Sequence, residues 1–427
     1  MKKTVAFYTL GCRVNQYETA AMESLFKENG YAVLPFDEAA DVYIVNTCTV
    51  TAESERKCRQ TLRRAKAKNP FATVAAVGCM AQSSREILEG MPEVDVIVGN
   101  TQKANIVSAV EATSASTFVD DLSKITAYQE LKVTEFDARD RAFVKIQDGC
   151  DRYCSYCIIP YVRGRVRSRA AEDILDEIRA LSSHGFREVV LTGIHVASFG
   201  RGTDTDLSDL ICLVSEIEGI ERIRLSSIDP TAFNEKLLKT YREVDKLCPH
   251  FHISLQSGST SVLKRMNRRY TADEYAEAVS RLREIRPDTA ITTDIITGFP
   301  GETDAEFAET LAFCSHISLS GIHVFPYSIR TGTRAAEMEG HLPRAVREAR
   351  AKILIQKAAE LRHRYASDFI NTTQPVLFEH KNDTASGFTP HFLRVEVPDA
   401  ATQDIEAGQI LPVTIYDCKG ETLYGKF

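Results

Sequence analysis

Five short apolar, β-rich runs open the chain, at Thr4–Leu10, Tyr31–Phe36, Val42–Asn46, Thr73–Gly78 and Val94–Val98, and stretches between them, such as Glu18–Asn29 and Glu53–Lys68, have helical character. Strands that alternate with helices predict a parallel sheet covered on both faces. From Thr101 to Asp140 the pattern weakens into polar sequence with Ala, Ser and Thr, which reads as a connector. A second alternating series follows. Its strands are predicted at Ala142–Gln147, Glu188–Thr192, Arg222–Ser227, His250–Gln256, Ile291–Thr297 and Gly321–Tyr327, with helices such as Glu172–Ser182 and Ala272–Arg286 between several of them. Six such βα units predict a partial (β/α)6 barrel of TIM-like type. After Pro343 comes a charge-laced helical stretch, Arg344–Ala366, and from Thr372 short apolar runs alternate with turns, as at Pro375–Glu379, Phe392–Val397 and Leu411–Tyr416. The fold class is therefore α/β in three domains: an open parallel sheet over 1–110, the barrel with its trailing helix over 136–370, and a small β-domain over 371–427.

With 427 residues, 44% of them hydrophobic and 26% charged, the chain is long enough for two or three globular domains. No apolar run approaches the roughly 18 residues that a membrane span needs. The opening Met1–Leu10 turns polar too early for a signal peptide, so no membrane association and a cytoplasmic location are expected. A net charge of -7 argues against a uniformly basic nucleic-acid binder, although local basic clusters can still follow phosphates.

Cysteine placement changes this picture most. Cys150, Cys154 and Cys157 form a C-x-x-x-C-x-x-C run just after the first predicted barrel strand. Three thiolates on a four-iron cube leave one iron without a protein ligand, open to a substrate. A structural zinc site normally wants four ligands, often as two C-x-x-C pairs, and fits this spacing less well. A disulfide is the remaining reading, disfavoured where reducing conditions keep thiols free. In the first domain, three predicted strands each end at a cysteine, in Leu10-Gly-Cys12, Asn46-Thr-Cys48 and Val77-Gly-Cys79. Open α/β sheets bind ligands beyond the carboxyl ends of their strands, so these three distant cysteines are expected to share one mouth. Small residues filling turns would explain any one of them, but not three at equivalent positions. Cys58, Cys212, Cys248, Cys314 and Cys418 show no ligand spacing and read as buried small hydrophobes.

The Cys150/Cys154/Cys157 spacing, with the aromatic Tyr156 before the last cysteine, resembles the radical S-adenosylmethionine superfamily. Gly11-Cys-Arg-Val-Asn-Gln16, Asn46-Thr-Cys-Thr-Val50 and Gly78-Cys-Met-Ala-Gln82 resemble the N-terminal domain of the methylthiotransferases, and the likeness covers nearly the whole chain. The resemblance implies two 4Fe-4S clusters. One, on Cys150, Cys154 and Cys157, binds S-adenosylmethionine and cleaves it to a deoxyadenosyl radical; the other sits on Cys12, Cys48 and Cys79. It further implies cofactor contacts from Leu191-Thr-Gly-Ile194, Ser226-Ser-Ile-Asp229, Ser254-Leu-Gln-Ser-Gly258 and Asp294-Ile-Ile-Thr-Gly-Phe-Pro-Gly-Glu302, hence from Tyr156, Gly193, Ser227, Gln256 and Gly298. The superfamily's usual Gly-Gly-Glu appears here as Thr192-Gly193-Ile194.

Insertion of sulfur and a methyl group into a carbon-hydrogen bond is the activity this resemblance implies. Gly11-Cys-Arg-Val-Asn-Gln-Tyr-Glu18 and Asn46-Thr-Cys-Thr-Val-Thr51 resemble most the subgroup acting at C2 of N6-threonylcarbamoyladenosine beside the tRNA anticodon. The isopentenyladenosine and ribosomal-protein aspartate subgroups, which usually carry other residues at Arg13-Val14, are the alternatives. A metal-stapled RNA-binding protein without catalysis is the alternative of another class. Expected partners are tRNA, an electron donor such as flavodoxin or ferredoxin, and a sulfur source. Arg163, Arg165, Arg167 and Arg169 stand at every second position, which in an extended segment puts them on one face where RNA would pass. Residues 371–427 resemble the RNA-binding β-domain called TRAM. Yet four Lys/Arg (Lys381, Arg394, Lys419, Lys426) against eight Asp/Glu give it a charge of -4, unlike a phosphate-tracking surface.

Overall fold

The computed structural model describes residues 2–112, 116–133, 141–379, 385–398 and 405–427. The chain divides into two compact units, residues 1–135 with 145–169 and 328–336, and residues 136–144 with 170–327 and 337–427.

In the first unit, strands β1 (Thr4–Thr9), β2 (Ala32–Leu34), β3 (Val42–Thr47), β4 (Thr73–Gly78), β5 (Val96–Val98) and β6 (Ser116–Phe118) form one parallel sheet in the order β2-β1-β3-β4-β5-β6. β3 is buried along its whole length and β4 nearly so, because helices cover both faces. Val5, Ile44, Ala75 and Val77 face Met22 and Phe26 of the helix Arg13–Glu28 on one side. Ala6, Tyr43, Val45 and Ala76 face Cys58, Leu62 and Ala65 of the helix Ala52–Lys68 on the other. β6 lies in the stretch read from sequence as a connector; three residues are too few to show a period, and only pairing with β5 reveals the strand. β7 (Ala142–Asp148) passes from the second unit into the first, where its end pairs antiparallel with β8 (Arg167–Ser168).

In the second unit, β9 (Glu188–Gly193), β10 (Arg222–Leu225), β11 (His250–His252), β12 (Ala290–Thr297) and β13 (Gly321–Pro326) appear where the sequence placed them. β9 pairs with β10, β11 with β12 and β12 with β13, all parallel, and single bridges Ile223–Leu247 and Ile228–Ile253 continue the array between β10 and β11. Their helices start at legible signals: Thr271 with Glu274 and Thr303 with Glu306 close capping boxes.

β14 (Thr373–Phe378), β15 (Ala385–Phe388), β16 (Arg394–Val397), β17 (Ile410–Lys419) and β18 (Thr422–Lys426) close a small barrel in the order β14-β15-β16-β18-β17. Its Phe388–Phe392 turn packs at the amino ends of the parallel strands. Arg222 donates to the carbonyls of Phe388 (3.1 Å) and Pro375 (2.6 Å), and Arg224 to that of Pro390 (3.0 Å). The ring of Phe392 lies beneath the guanidiniums of Arg141 and Arg224 and 5.2 Å from His250. Glu188, fully buried, holds these cations together, 3.0 Å from Arg224, 3.5 Å from Arg222 and 3.7 Å from Arg141. Desolvation opposes its ionisation, but the arginines prevail and hold its carboxyl down at about 2. Among the described residues no helix is long and apolar enough to cross a membrane.

Candidate functional site

β1, β3 and β4 are neighbours in the sheet, so the turns leaving their carboxyl ends emerge side by side and carry Cys12, Cys48 and Cys79. Two glycines make this convergence possible. Gly11 has φ +104°, and a Cβ on it would stand 3.0 Å from Cβ and 3.1 Å from Sγ of Cys48; Gly78 has φ +96°, and a Cβ there would meet Oδ1 of Asn46 at 2.6 Å. Asn15 stitches two turns, its amide donating to the carbonyls of Leu10 (2.7 Å) and Thr47 (2.9 Å). Thr47 ties in the third, donating to the Val77 carbonyl and accepting from the backbone N–H of Met80. Cys58 is buried behind this mouth: burial pushes its thiol up to about 12, and Sγ accepts from the Cys48 N–H at 3.3 Å and donates to the Cys48 carbonyl at 3.4 Å.

The Cys48 thiol, too, is raised, first by burial and further by Cys79 and Cys12. Cys12 and Cys79 make weak sulfur contacts to Asn15 (3.8 Å) and Asn100 (3.7 Å). Three soft donors from three separate turns, with little to hydrogen-bond them, suit an iron-sulfur cluster, which takes each thiolate on a different iron. Among the described residues no three such side chains sit at the spacing of ligands to one ion.

Cys150, Cys154 and Cys157 lie in the loop between β7 and the short helix Ile159–Arg163, within the same compact unit. The Cys150 N–H donates to the Gly164 carbonyl (3.0 Å), the Cys157 N–H to the Cys154 carbonyl (2.9 Å), and the Ala335 N–H to the Ser155 carbonyl (2.7 Å). Gly149 begins the loop at φ +77°, where a Cβ would collide with the Arg165 carbonyl. Ile158 and Val162 of the following segment pack directly on Cys79, and Asn100 donates to the Val162 carbonyl at 2.7 Å. Three cysteines on one tight loop, none of them in a disulfide, match a cluster with an open iron.

Between the two cysteine sets lies a buried charge network that the sequence reading missed. Arg163 donates through Nη1 (2.8 Å) and Nη2 (3.0 Å) to the two oxygens of Glu18, and through Nη2 to Oδ1 of Asn15 at 2.8 Å. Lys103 and Lys145 also pair with Glu18, and Lys145 reaches Asp148 at 2.7 Å. Desolvation opposes the charge on Glu18, yet Arg163, Lys103 and Lys145 outweigh it and hold the carboxyl well below the usual carboxylate range. The detectable signal was local: Asn15 and Glu18 are one helical turn apart behind Cys12, and a carboxylate on the buried face of a helix demands a partner.

This network corrects the expectation for the arginine run. Arg163 closes a short helix, so the segment is not extended throughout; Arg163, Arg167 and Arg169 are buried. Arg167 donates to the Arg163 carbonyl at 2.9 Å, and Arg169 pairs with Glu130. A guanidinium held by buried carboxylates does not face phosphate. Arg165 alone of the four is exposed. Nearby, Tyr153 and Tyr161 form an exposed edge-to-face pair, with ring centroids 5.8 Å apart.

In the second unit, Gly193, Ser227, Gln256 and Gly298 all fall at or just beyond the carboxyl ends of parallel strands. Gln256 is held at φ +71° by its N–H on the Asp294 carbonyl (2.8 Å) and its carbonyl on the Ile296 N–H (3.0 Å). Gly298 owes its missing side chain to packing: it has φ +70°, and a Cβ would strike Arg347 of the helix Arg344–Ser367. On the same strands His252 and His323 flank Asp294, at 3.3 and 3.6 Å, and form a polar cluster.

Comparison with known proteins gives the following. Residues 144–314 match the Radical SAM superfamily, and residues 4–99 match the uncharacterized protein family UPF0004. The chain is 39% identical over 424 residues to the threonylcarbamoyladenosine tRNA methylthiotransferase MtaB of Bacillus subtilis, covering 96% of this chain and 93% of that protein. It is 36% identical over 387 residues to the tRNA-2-methylthio-N(6)-dimethylallyladenosine synthase of Clostridium novyi, covering 88% and 86%. In fold it is similar to the radical S-adenosylmethionine methyltransferase TsrM of Kitasatospora setae, with a TM-score of 0.57 at 14% identity over 79% of this chain and 77% of that one.

Proposed function

Because the chain belongs to the radical S-adenosylmethionine methylthiotransferase family, we propose that it adds a methylthio group to C2 of N6-threonylcarbamoyladenosine beside the tRNA anticodon. What carries the choice of nucleoside is the greater identity, 39% over 424 residues, to the relative named for that nucleoside, against 36% over 387 residues for the dimethylallyladenosine relative. The motif Gly11-Cys-Arg-Val-Asn-Gln16 supports the same choice.

When bound, the cluster on Cys150, Cys154 and Cys157 with S-adenosylmethionine supplies hydrogen-atom abstraction, and a second cluster on Cys12, Cys48 and Cys79 supplies the sulfur. The protein's part is placement. In the second unit the strand-end residues Gly193, Ser227, Gln256 and Gly298 hold S-adenosylmethionine, and in the first the packing of Ile158 and Val162 on Cys79 keeps the two cysteine sets close. That proximity suits a reaction in which one site opens a carbon-hydrogen bond and the other fills it. Arg165, Tyr153 and Tyr161 make the contact to RNA, since an exposed aromatic pair offers a stacking surface to an unpaired base. The reaction runs in the cytoplasm, with a flavodoxin or ferredoxin as electron donor.

The test is mass spectrometry of nucleosides from threonylcarbamoylated tRNA incubated anaerobically with reconstituted protein, S-adenosylmethionine, reductant and sulfide. The 2-methylthio nucleoside is expected. Cleavage of S-adenosylmethionine without that product, and product on isopentenylated tRNA instead, would reassign the substrate.

A further inference from the structure

The buried ion pairs around Glu18 do not balance. Four cations, Lys103, Lys145, Arg163 and Arg167, meet two carboxylates, Glu18 and Asp148, leaving two positive charges in excess among these six groups. All six side chains are at least nine-tenths buried. Unpaired charge in such surroundings is costly, so an anion is needed nearby. The candidates are at hand. Arg163 reaches Asn15, whose Oδ1 lies 3.8 Å from Sγ of Cys12, and Lys103 Nζ stands 3.4 Å from where a Cβ on Gly78, the neighbour of Cys79, would be.

We propose that Glu18 and Arg163 form a positioning clamp for the auxiliary cluster. Arg163, oriented by both oxygens of Glu18, fixes Asn15 and with it the Cys12 and Cys48 turns. The surplus positive charge, which Lys103 shares, would offset the negative charge of a cluster held on these cysteines, the more so in its reduced form. The inference rests on the reading of Cys12, Cys48 and Cys79 as a cluster site. It separates two effects, geometry from Arg163 and charge from Arg163 and Lys103 together.

The test uses the full chain with Cys150, Cys154 and Cys157 all changed to Ala, so that iron can load only on the first set. After anaerobic reconstitution, iron content and an EPR-monitored redox titration are read. The parent is expected to hold about four irons. Arg163→Met should cut that at least twofold. Arg163→Lys, a point charge that cannot serve Glu18 and Asn15 together, should load between the two. Lys103→Met keeps the clamp, so iron should stay near the parent's while the midpoint potential moves to a more negative value. Arg163→Met with the parent's iron and midpoint would overturn the clamp. If circular dichroism shows Arg163→Met unfolded, the Lys103→Met midpoint decides, and an unshifted value overturns the charge argument. A parent that takes up no iron would overturn the cluster reading and the clamp with it.

Discussion

Replacing Gly149 by Ala tests how the radical-cluster loop is held. Gly149 adopts φ +77°, a region that costs an L-residue roughly 1–2 kcal/mol. The added Cβ would also collide with the Arg165 carbonyl and lie 2.8 Å from that of Gly164, so this backbone must retreat. The retreat breaks the 3.0 Å bond from the Cys150 N–H to Gly164, worth about 1 kcal/mol. Together these amount to roughly 2–3 kcal/mol, a shift of about 30- to 150-fold away from the closed loop. The effect should fall first on Cys150, Cys154 and Cys157, which the loop itself carries, while the Cys12, Cys48 and Cys79 turns keep their direct bonds through Asn15 and Thr47. If both cysteine sets of the parent load, at about eight irons per chain, anaerobic reconstitution of the variant should give about four. Deoxyadenosine formation from S-adenosylmethionine, followed by chromatography, should fall at least tenfold. A Gly149→Ala protein with about eight irons and undiminished cleavage would refute the reasoning.

Cys12→Ala should still cleave S-adenosylmethionine to deoxyadenosine yet give no methylthiolated nucleoside; loss of cleavage with the radical cluster spectroscopically intact would contradict the division of labour. Glu188→Gln should lower stability in urea at neutral pH by about 3 kcal/mol, since a carboxyl moved from its ordinary 4.5 to about 2 is worth that much at about 1.4 kcal/mol per unit. The folded value is depressed, so the stabilisation is full above pH 4.5 and fades as pH falls toward about 2; the gap between parent and variant should narrow across that window, and a gap that stays constant would remove the ion-pair explanation. Tyr161→Ala should weaken binding of tRNA in a gel-shift assay at least fivefold, as expected for loss of one base stack, and an unchanged dissociation constant would take the aromatic pair out of the RNA surface.

Much of this molecule is legible one residue at a time. The two cysteine sets stand out because ligand chemistry requires a residue type at a spacing, and the spacing of Cys150, Cys154 and Cys157 is local in the chain. The strands from β1 to β5 and β7 to β13 are readable, β8 excepted, because apolar runs and capping signals such as Thr271 with Glu274 are short-range. Even the meeting of Cys12, Cys48 and Cys79 follows from a rule about strand ends. What the tertiary structure decided is the partnership of charges. Arg163, Arg167 and Arg169 read as an exposed basic face, and become buried because Glu18, Asp148 and Glu130, distant in sequence or on another turn, are folded against them. Glu188 gathers Arg141, Arg222 and Arg224 in the same way. An alternating pattern states which side of a strand a residue takes, but an ion pair depends on which other side chain arrives within a few ångströms, and a charge's burial is set by its partner.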